Sequence, residues 1–420
     1  MNRRIFSQVA LTLVLVLAVA VMPALAKTTV TFWALTEGNP VAAANQQKVF
    51  DAFEAAYPDI EVVIERIPLA SFDQKCLAAL AAGSGPDVLL VNSVSLPMFI
   101  ERGFLQPTQD LLDNSTMLGQ EDFVPSLWSH VAYGGTSFGL PLDTGTRALV
   151  YHKELLSETG MEFGDVTSWD DFKAAATKMT KDSDGDGIVD RFGYAYGTGE
   201  KWVAMYENYG LFAIQSGGSF LNEDLTKANV TSDEIKEATS FFVSLERDGL
   251  TPGESVTLTD QQIYQNMFAQ GLVGSFIGGH WAVDYLETRT PVPPYGVTLL
   301  KNKQIGSSTG GWILAMSRFA KDRDAAWKFM EFVFQPDNLV YFTNLMPATI
   351  EAAKQTLQDP KYRLYHEVLP YSRHPIELNP YLPEIAEIMK DKVQLMLLGR
   401  VSVEQGLEEA NREINMLLSR

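Results

Sequence analysis

Thr28-Thr29-Val30-Thr31-Phe32-Trp33 alternates polar and apolar side chains, residues 41–57 carry apolar residues at helical spacing and stop at Pro58, and Ile60 to Ile67 is rich in β-branched residues. Strand, helix and strand in that order make a β-α-β unit. A second helix is expected over 71–82, closed by Gly83-Ser84-Gly85-Pro86. Asp87-Val88-Leu89-Leu90-Val91 follows as an almost continuous apolar run, the pattern of a strand buried on both faces. The expected sheet is parallel and the class α/β.

Working outward, Trp169 to Thr180 reads as a helix with Ser168 as its N-cap, and 233–248 and 322–334 read as amphipathic helices. The last hundred residues are mostly helical and end with a helix over 403–418. No internal repeat or low-complexity linker separates these parts. A chain of 420 residues, 46% hydrophobic and 20% charged, is globular and long enough for two lobes. Two α/β lobes without a flexible linker imply several short crossing strands and a hinge. The net charge of -19, two units more negative once Arg3 and Arg4 are removed with a leader, argues against a nucleic-acid partner. The single cysteine, Cys76, excludes an intrachain disulfide and a cysteine-cluster metal site, and reads as a small core residue.

Residues 1–26 have the form of a secretory signal: Arg3 and Arg4, an apolar stretch from Val9 to Met22, then Pro23-Ala24-Leu25-Ala26 before the expected cut. The apolar stretch is shorter than the roughly 20 residues a bilayer crossing needs. Export to the periplasm or the medium is expected, as a soluble mature chain starting at Lys27.

Several catalytic patterns are present only in part. Gly306-Ser307-Ser308-Thr309-Gly310 matches the Gly-x-Ser-x-Gly nucleophile elbow, but Gly311 to Met316 behind it reads as a strand, whereas the elbow needs a helix there. His130, His152, His280, His366 and His374 show no i, i+4 pair for zinc. Gly83-Ser84-Gly85 lacks the third glycine and the helix of a dinucleotide fingerprint. The sharpest local motif is Asp182-Ser183-Asp184-Gly185-Asp186-Gly187-Ile188-Val189-Asp190, with Asp182, Asp184, Asp186 and Asp190 at positions 1, 3, 5 and 9 of a calcium loop and Gly187 at the turn. Position 12, however, is Gly193 instead of glutamate. A structural calcium site and an acidic turn whose carboxylates cap the backbone both remain open. No other cofactor is expected.

Trp33 lies toward the carboxyl end of the first strand, Trp281 in Gly278-Gly279-His280-Trp281, and Trp312 behind Gly310-Gly311. In an open α/β sheet such strand ends line the ligand crevice, and glycines there let the backbone approach a ligand. A flat aromatic face fits the C–H face of a sugar ring, with neighbouring polar groups for its hydroxyls.

Taken in order, several segments make the chain resemble family 1 of the extracellular solute-binding proteins, the maltodextrin-type substrate-binding components of ABC importers. The first are Val30-Thr31-Phe32-Trp33, Gly83-Ser84-Gly85-Pro86-Asp87-Val88 and Gly103-Phe104-Leu105-Gln106-Pro107. Phe138 to Asp143 and Leu149 to Leu156 follow, then the Asp-rich loop with Tyr194, then Gly279-His280-Trp281, Gly310-Gly311-Trp312 and Ala325-Ala326-Trp327-Lys328-Phe329. The resemblance implies a two-lobe periplasmic-binding-protein fold with a hinge and an interlobe ligand cleft. The N-terminal lobe would comprise 27–142 plus 299–345 and the C-terminal lobe 143–298 plus 346–420, with crossings near 141–144, 297–300 and 345–348. It places ligand contacts on Trp33, Thr36 and Glu37, on Asn92 and Ser93, and on Asp143 and Thr144. From the second lobe it implies Trp202, Tyr206, Gly279 and Trp281, and from the returning segment Gly311 and Trp312. It further implies a monomer without enzymatic activity that hands a sugar to a membrane permease. The same fold holding a glycerol phosphate diester or another anionic or polar solute, with Arg147 as the residue favouring an anion, is the first alternative, and a secreted glycoside hydrolase is the second.

Overall fold

The computed structural model describes residues 27–36, 39–128, 130–133, 135–162, 164–199, 202–374 and 379–420. The leader and Glu37 lie outside the described residues. β1 (Thr28–Leu35), α1 (Pro40–Ala56), β2 (Ile60–Ile67), α2 (Phe72–Ala81) and β3 (Val88–Asn92) form the first stretch. The chain continues through β4 (Leu140–Pro141), β5 (Asp143–Thr146), β6 (Ala148–His152), α3 (Trp169–Met179), α4 (Trp202–Gln215), α5 (Asp233–Arg247), β7 (Ser275–Gly278) and α6 (His280–Glu287). It ends with β8 (Tyr295–Thr298), β9 (Ser307–Gly310), β10 (Trp312–Met316), α7 (Arg323–Val333), α8 (Pro336–Phe342), β11 (Met346–Pro347), β12 (Ser372–Arg373), α9 (Leu382–Leu397) and α10 (Val403–Leu418), with shorter pieces between these elements.

The helix starts follow local chemistry. Asn39 Oδ1 accepts from the Val41 amide at 2.9 Å while Pro40 presets the first turn of α1. Ser168 and Asp171 form a reciprocal capping box at α3, and Ser402 and Gln405 do the same at α10.

The first lobe is built on a sheet of order β2-β1-β3-β10-β4. β1 is parallel to β2 and β3, but β10 runs antiparallel to both β3 and β4, so the sheet is mixed where a parallel one was expected. A run buried on both faces looks the same in either direction, and β10 returns from a distant part of the chain. Helices α1, α7 and α8 cover it. Phe32, Phe50, Phe53, Phe329 and Phe342 interlock in this core, with centroids 5.4 Å apart for Phe32–Phe329 and Phe53–Phe329. Cys76 is fully buried in the same core.

The second lobe holds the antiparallel sheet β8-β6-β7. Alternation along β6 sends Leu149 and Tyr151 into one core, with Trp169, Phe172, Phe212 and Met389, and Ala148 and Val150 into another, with Phe268 and Phe276.

A third sheet, of order β11-β5-β9-β12, lies between the lobes. β5 leads from the first sheet to the second, and β9 leads back from the second core to β10. Val297 to Leu300, expected to cross, instead holds the end of β8, and Leu300 packs in the second core. Ala348 and Ala352, expected in the C-terminal lobe, pack in the first core, so the last passage falls later than 345–348. Among the described residues no helix is long and apolar enough to cross a membrane.

Candidate functional site

β5 is the strand on which the candidate residues converge. Its Asp143 carboxylate accepts the Trp312 amide at 2.8 Å through Oδ1 and the Thr343 hydroxyl at 2.6 Å through Oδ2. One side chain thereby ties β5 to the start of β10 and to the segment behind α8. Ser93, at the end of β3, donates its amide to the Gly311 carbonyl at 2.9 Å, and its hydroxyl accepts the Gly311 amide at 3.3 Å. Asn92 stands opposite Trp312 in the β3–β10 ladder. Gly311 is obligatory, since a Cβ there would lie 2.0 Å from the Asp143 carbonyl oxygen. Asn92, Ser93, Asp143, Gly311 and Trp312 are thus brought together, with the Trp312 ring half-buried against the edge of Phe72.

Two residues along β5, the backbone of Gly145 meets Trp281 from the second lobe. A Cβ on Gly145 would lie 2.7 Å from Trp281 Cζ3, and one on Gly279, the N-cap of α6, would lie 1.9 Å from the same atom. Arg147 covers the indole, its guanidinium carbon 4.8 Å from the ring centroid, and donates from Nη1 to the Gly145 carbonyl at 2.6 Å. Asp143, Gly145 and Arg147 alternate along the strand and share one side. Thr144 faces the other way and is fully buried, its hydroxyl 2.8 Å from that of Thr309.

The remaining candidates stand apart. Trp33 pairs with Leu89 in the β1–β3 register, with Lys75 Nζ 5.3 Å from its ring, and Thr36 is exposed. Trp202 and Tyr206 begin α4, but their side chains lie outside the described residues. The elbow-like sequence centres on Ser308, fully buried in β9; its neighbour Ser307, also fully buried there, accepts the Arg147 amide through its hydroxyl and donates to the Arg147 carbonyl, each at 2.8 Å. Ser307 is a clasp between crossing strands.

On the Thr146 side of β5 a cavity of about 340 Å³ opens between the lobes. Asn39 and Asn45 of the α1 end, Asn344, and His280, Asp284 and Lys361 line it. His280 reaches across to the Asn344 carbonyl at 2.9 Å. None of the described residues singled out in the sequence as ligand contacts lines this cavity. Gly145 and Thr343 were also missed, although a glycine inside a strand is a readable sign of close approach.

Burial shifts all five histidines toward the neutral form. His130 is pushed down to about 4 and His374 well below its ordinary value, and their rings meet at 5.1 Å. His366 is pushed down to about 4, while His152 and His280 are lowered.

In the Asp-rich loop, carboxylate oxygens of Asp182, Asp184 and Asp190 lie within 4.8 Å of one another, and Asp186 is not part of that group. Asp182 accepts the Gly185 and Gly187 amides at 2.7 and 2.8 Å, and these bonds hold its carboxyl below the ordinary range. Gly187 has φ +88°, as the turn demands. Gly193 cannot carry the expected ligand, because a Cβ there would lie 1.9 Å from the Ala176 carbonyl oxygen. Three carboxylates fit a cation, and the twelfth position does not.

Two lobes around a crossing sheet, with aromatic rings and glycine backbone meeting at that sheet, define a solute-binding protein. Residues 38–339 match the bacterial extracellular solute-binding protein family, and the chain belongs to it. It is 28% identical to a putative binding protein of Brucella abortus over 89% of this chain and 90% of the relative. It is 24% identical to the maltodextrin-binding protein MdxE of Bacillus subtilis over 80% of this chain and 78% of the relative. An ABC transporter solute-binding protein of Thermotoga lettingae bound with α-D-tagatose superposes with a TM-score of 0.82 at 26% identity, covering 93% of this chain and all of that one.

Proposed function

We propose that this chain is the exported substrate-binding component of an ABC importer, closing its lobes on a neutral sugar or related polyol and passing it unchanged to a membrane permease. The observation that supports this best is the meeting of Trp281, from the second lobe, with the same strand whose Asp143 holds the Trp312 amide. A ligand stacked on both rings would bridge the lobes and favour closure by its differential affinity. The names of the relatives, a maltodextrin-binding protein and a tagatose-bound protein among them, point to the same ligand class. For an anionic ligand Arg147 would have to face the cleft, yet its guanidinium is engaged by Gly145 and Trp281. For a hydrolase, Asp143 would need a free oxygen, and both accept protein donors.

The test is a thermal-shift screen of residues 27–420 against mono-, di- and oligosaccharides, polyols and phosphodiesters. A native-state ligand raises the melting temperature by mass action. The expected result is a shift with a neutral saccharide that is recovered unchanged. A shift with phosphodiesters alone, or cleavage of the saccharide, would overturn the proposal.

A further inference from the structure

We infer that Arg147 is the positioning residue that makes Trp281 a rigid, one-sided platform. Arg147 is only 5% exposed and is gripped along its length. Ser307 binds its amide and carbonyl from the neighbouring crossing strand, while its Nη1 holds the Gly145 carbonyl. The guanidinium lies against one face of the indole at 4.8 Å. The backbones of Gly145 and Gly279 crowd the six-membered edge so closely that neither position has room for a Cβ. With one face and one edge occupied, and the residue only half-buried, a ligand can meet only the part of the ring that stays exposed.

A planar, weakly hydrated guanidinium can stack and donate in the plane at once, which an ammonium cannot. The cation–π contact is strongest where water is excluded, as here. A ring already held in place loses less freedom when a ligand stacks on it, so the positioning contributes to affinity without touching the ligand. The part of the inference that concerns affinity rests on the sugar-binding reading, whereas the part that concerns the ring does not.

The experiment compares wild type, Arg147→Met and Arg147→Lys, each with and without Trp281→Phe, so that subtraction isolates the fluorescence of Trp281 among the seven tryptophans. Acrylamide quenching is measured without ligand, and binding is measured with maltotriose and D-tagatose. Arg147→Met is expected to make Trp281 more quenchable at an unchanged far-ultraviolet spectrum, and to weaken whichever saccharide binds wild type about tenfold. Arg147→Lys, which keeps the charge and is the variant to rely on if Met impairs folding, falls between the two. Unchanged quenching of Trp281 in both variants overturns the inference. Absence of binding by wild type to any saccharide counts against the sugar reading alone, since quenching still decides whether Arg147 holds the ring.

Discussion

The crossing-strand site and the Asp-rich loop are both sharp in the sequence, yet they are built on opposite plans. The loop is local: Asp182, Asp184, Asp186 and Asp190 bond amides two to seven residues away, and the whole motif sits at the surface. The site is assembled: Ser93, Asp143, Gly145, Trp281 and Trp312 come from four chain segments as much as 219 residues apart, and they meet because β5 and β9 pair between the lobes. A local motif tolerates change in its own neighbourhood, whereas an assembled one transmits any change to several strands. The loop should therefore be separable from folding and binding, and the site should not.

The contrast can be broken most directly at Gly311. Replacing it with alanine places a Cβ against the Asp143 carbonyl, and the crossing strands must move apart, at a cost of about 3 kcal/mol. Urea unfolding that showed a midpoint equal to wild type would mean the strands yield freely. Next in size, Trp281→Ala is expected to weaken saccharide binding by about 2 kcal/mol, roughly thirtyfold, with the fold retained. Isothermal titration with unchanged affinity would remove Trp281 from the site.

Acid separates the two regions more finely. A histidine that is neutral in the fold but takes up a proton when unfolded costs stability as pH falls below 6.5, and for His130 the loss is complete near its folded value of about 4. His130→Phe should flatten that part of the stability–pH curve by on the order of 1 kcal/mol, read from melts between pH 7 and 4. Asp182 loses stability in the same direction but in a lower window: its carboxyl is lowered from 3.8, so its contribution is present above that value and is lost only as pH falls below it. Asp182→Asn should leave the slope of the curve above pH 4 unaltered and flatten only the part below it. The smallest effect concerns calcium, which is expected to raise the melting temperature slightly and to lose that effect in Asp182→Asn. An identical melt in calcium and in chelator would leave the loop as a capped acidic turn.

Much of the first lobe could be read from residues 28–91, because helix and strand periodicities there are uninterrupted and the caps are local. Ser168 marked its helix for the same reason, and the caps Asp322 and Ser402 are equally local. The direction of β10 was not readable, since a fully apolar strand carries no sign of its partner's polarity. Arg147 looked like an anion ligand until its place over Trp281 was known, and Ser308 had the spacing of a nucleophile without its turn. His130 and His374, far apart in sequence, showed no pairing signal at all.

By itself the sequence determined the α/β class, the order of the main helices and strands of the first lobe, some of the glycines at points of close approach, Gly279 and Gly311 among them, and the turn of the Asp-rich loop. All of these depend on interactions within a few residues. Only the tertiary structure decided which way the returning strand runs, what Asp143 and Arg147 bind, and which backbone Trp281 meets. Those outcomes depend on which distant backbones pair, and strand pairing is set by burial of the whole sheet rather than by any one segment.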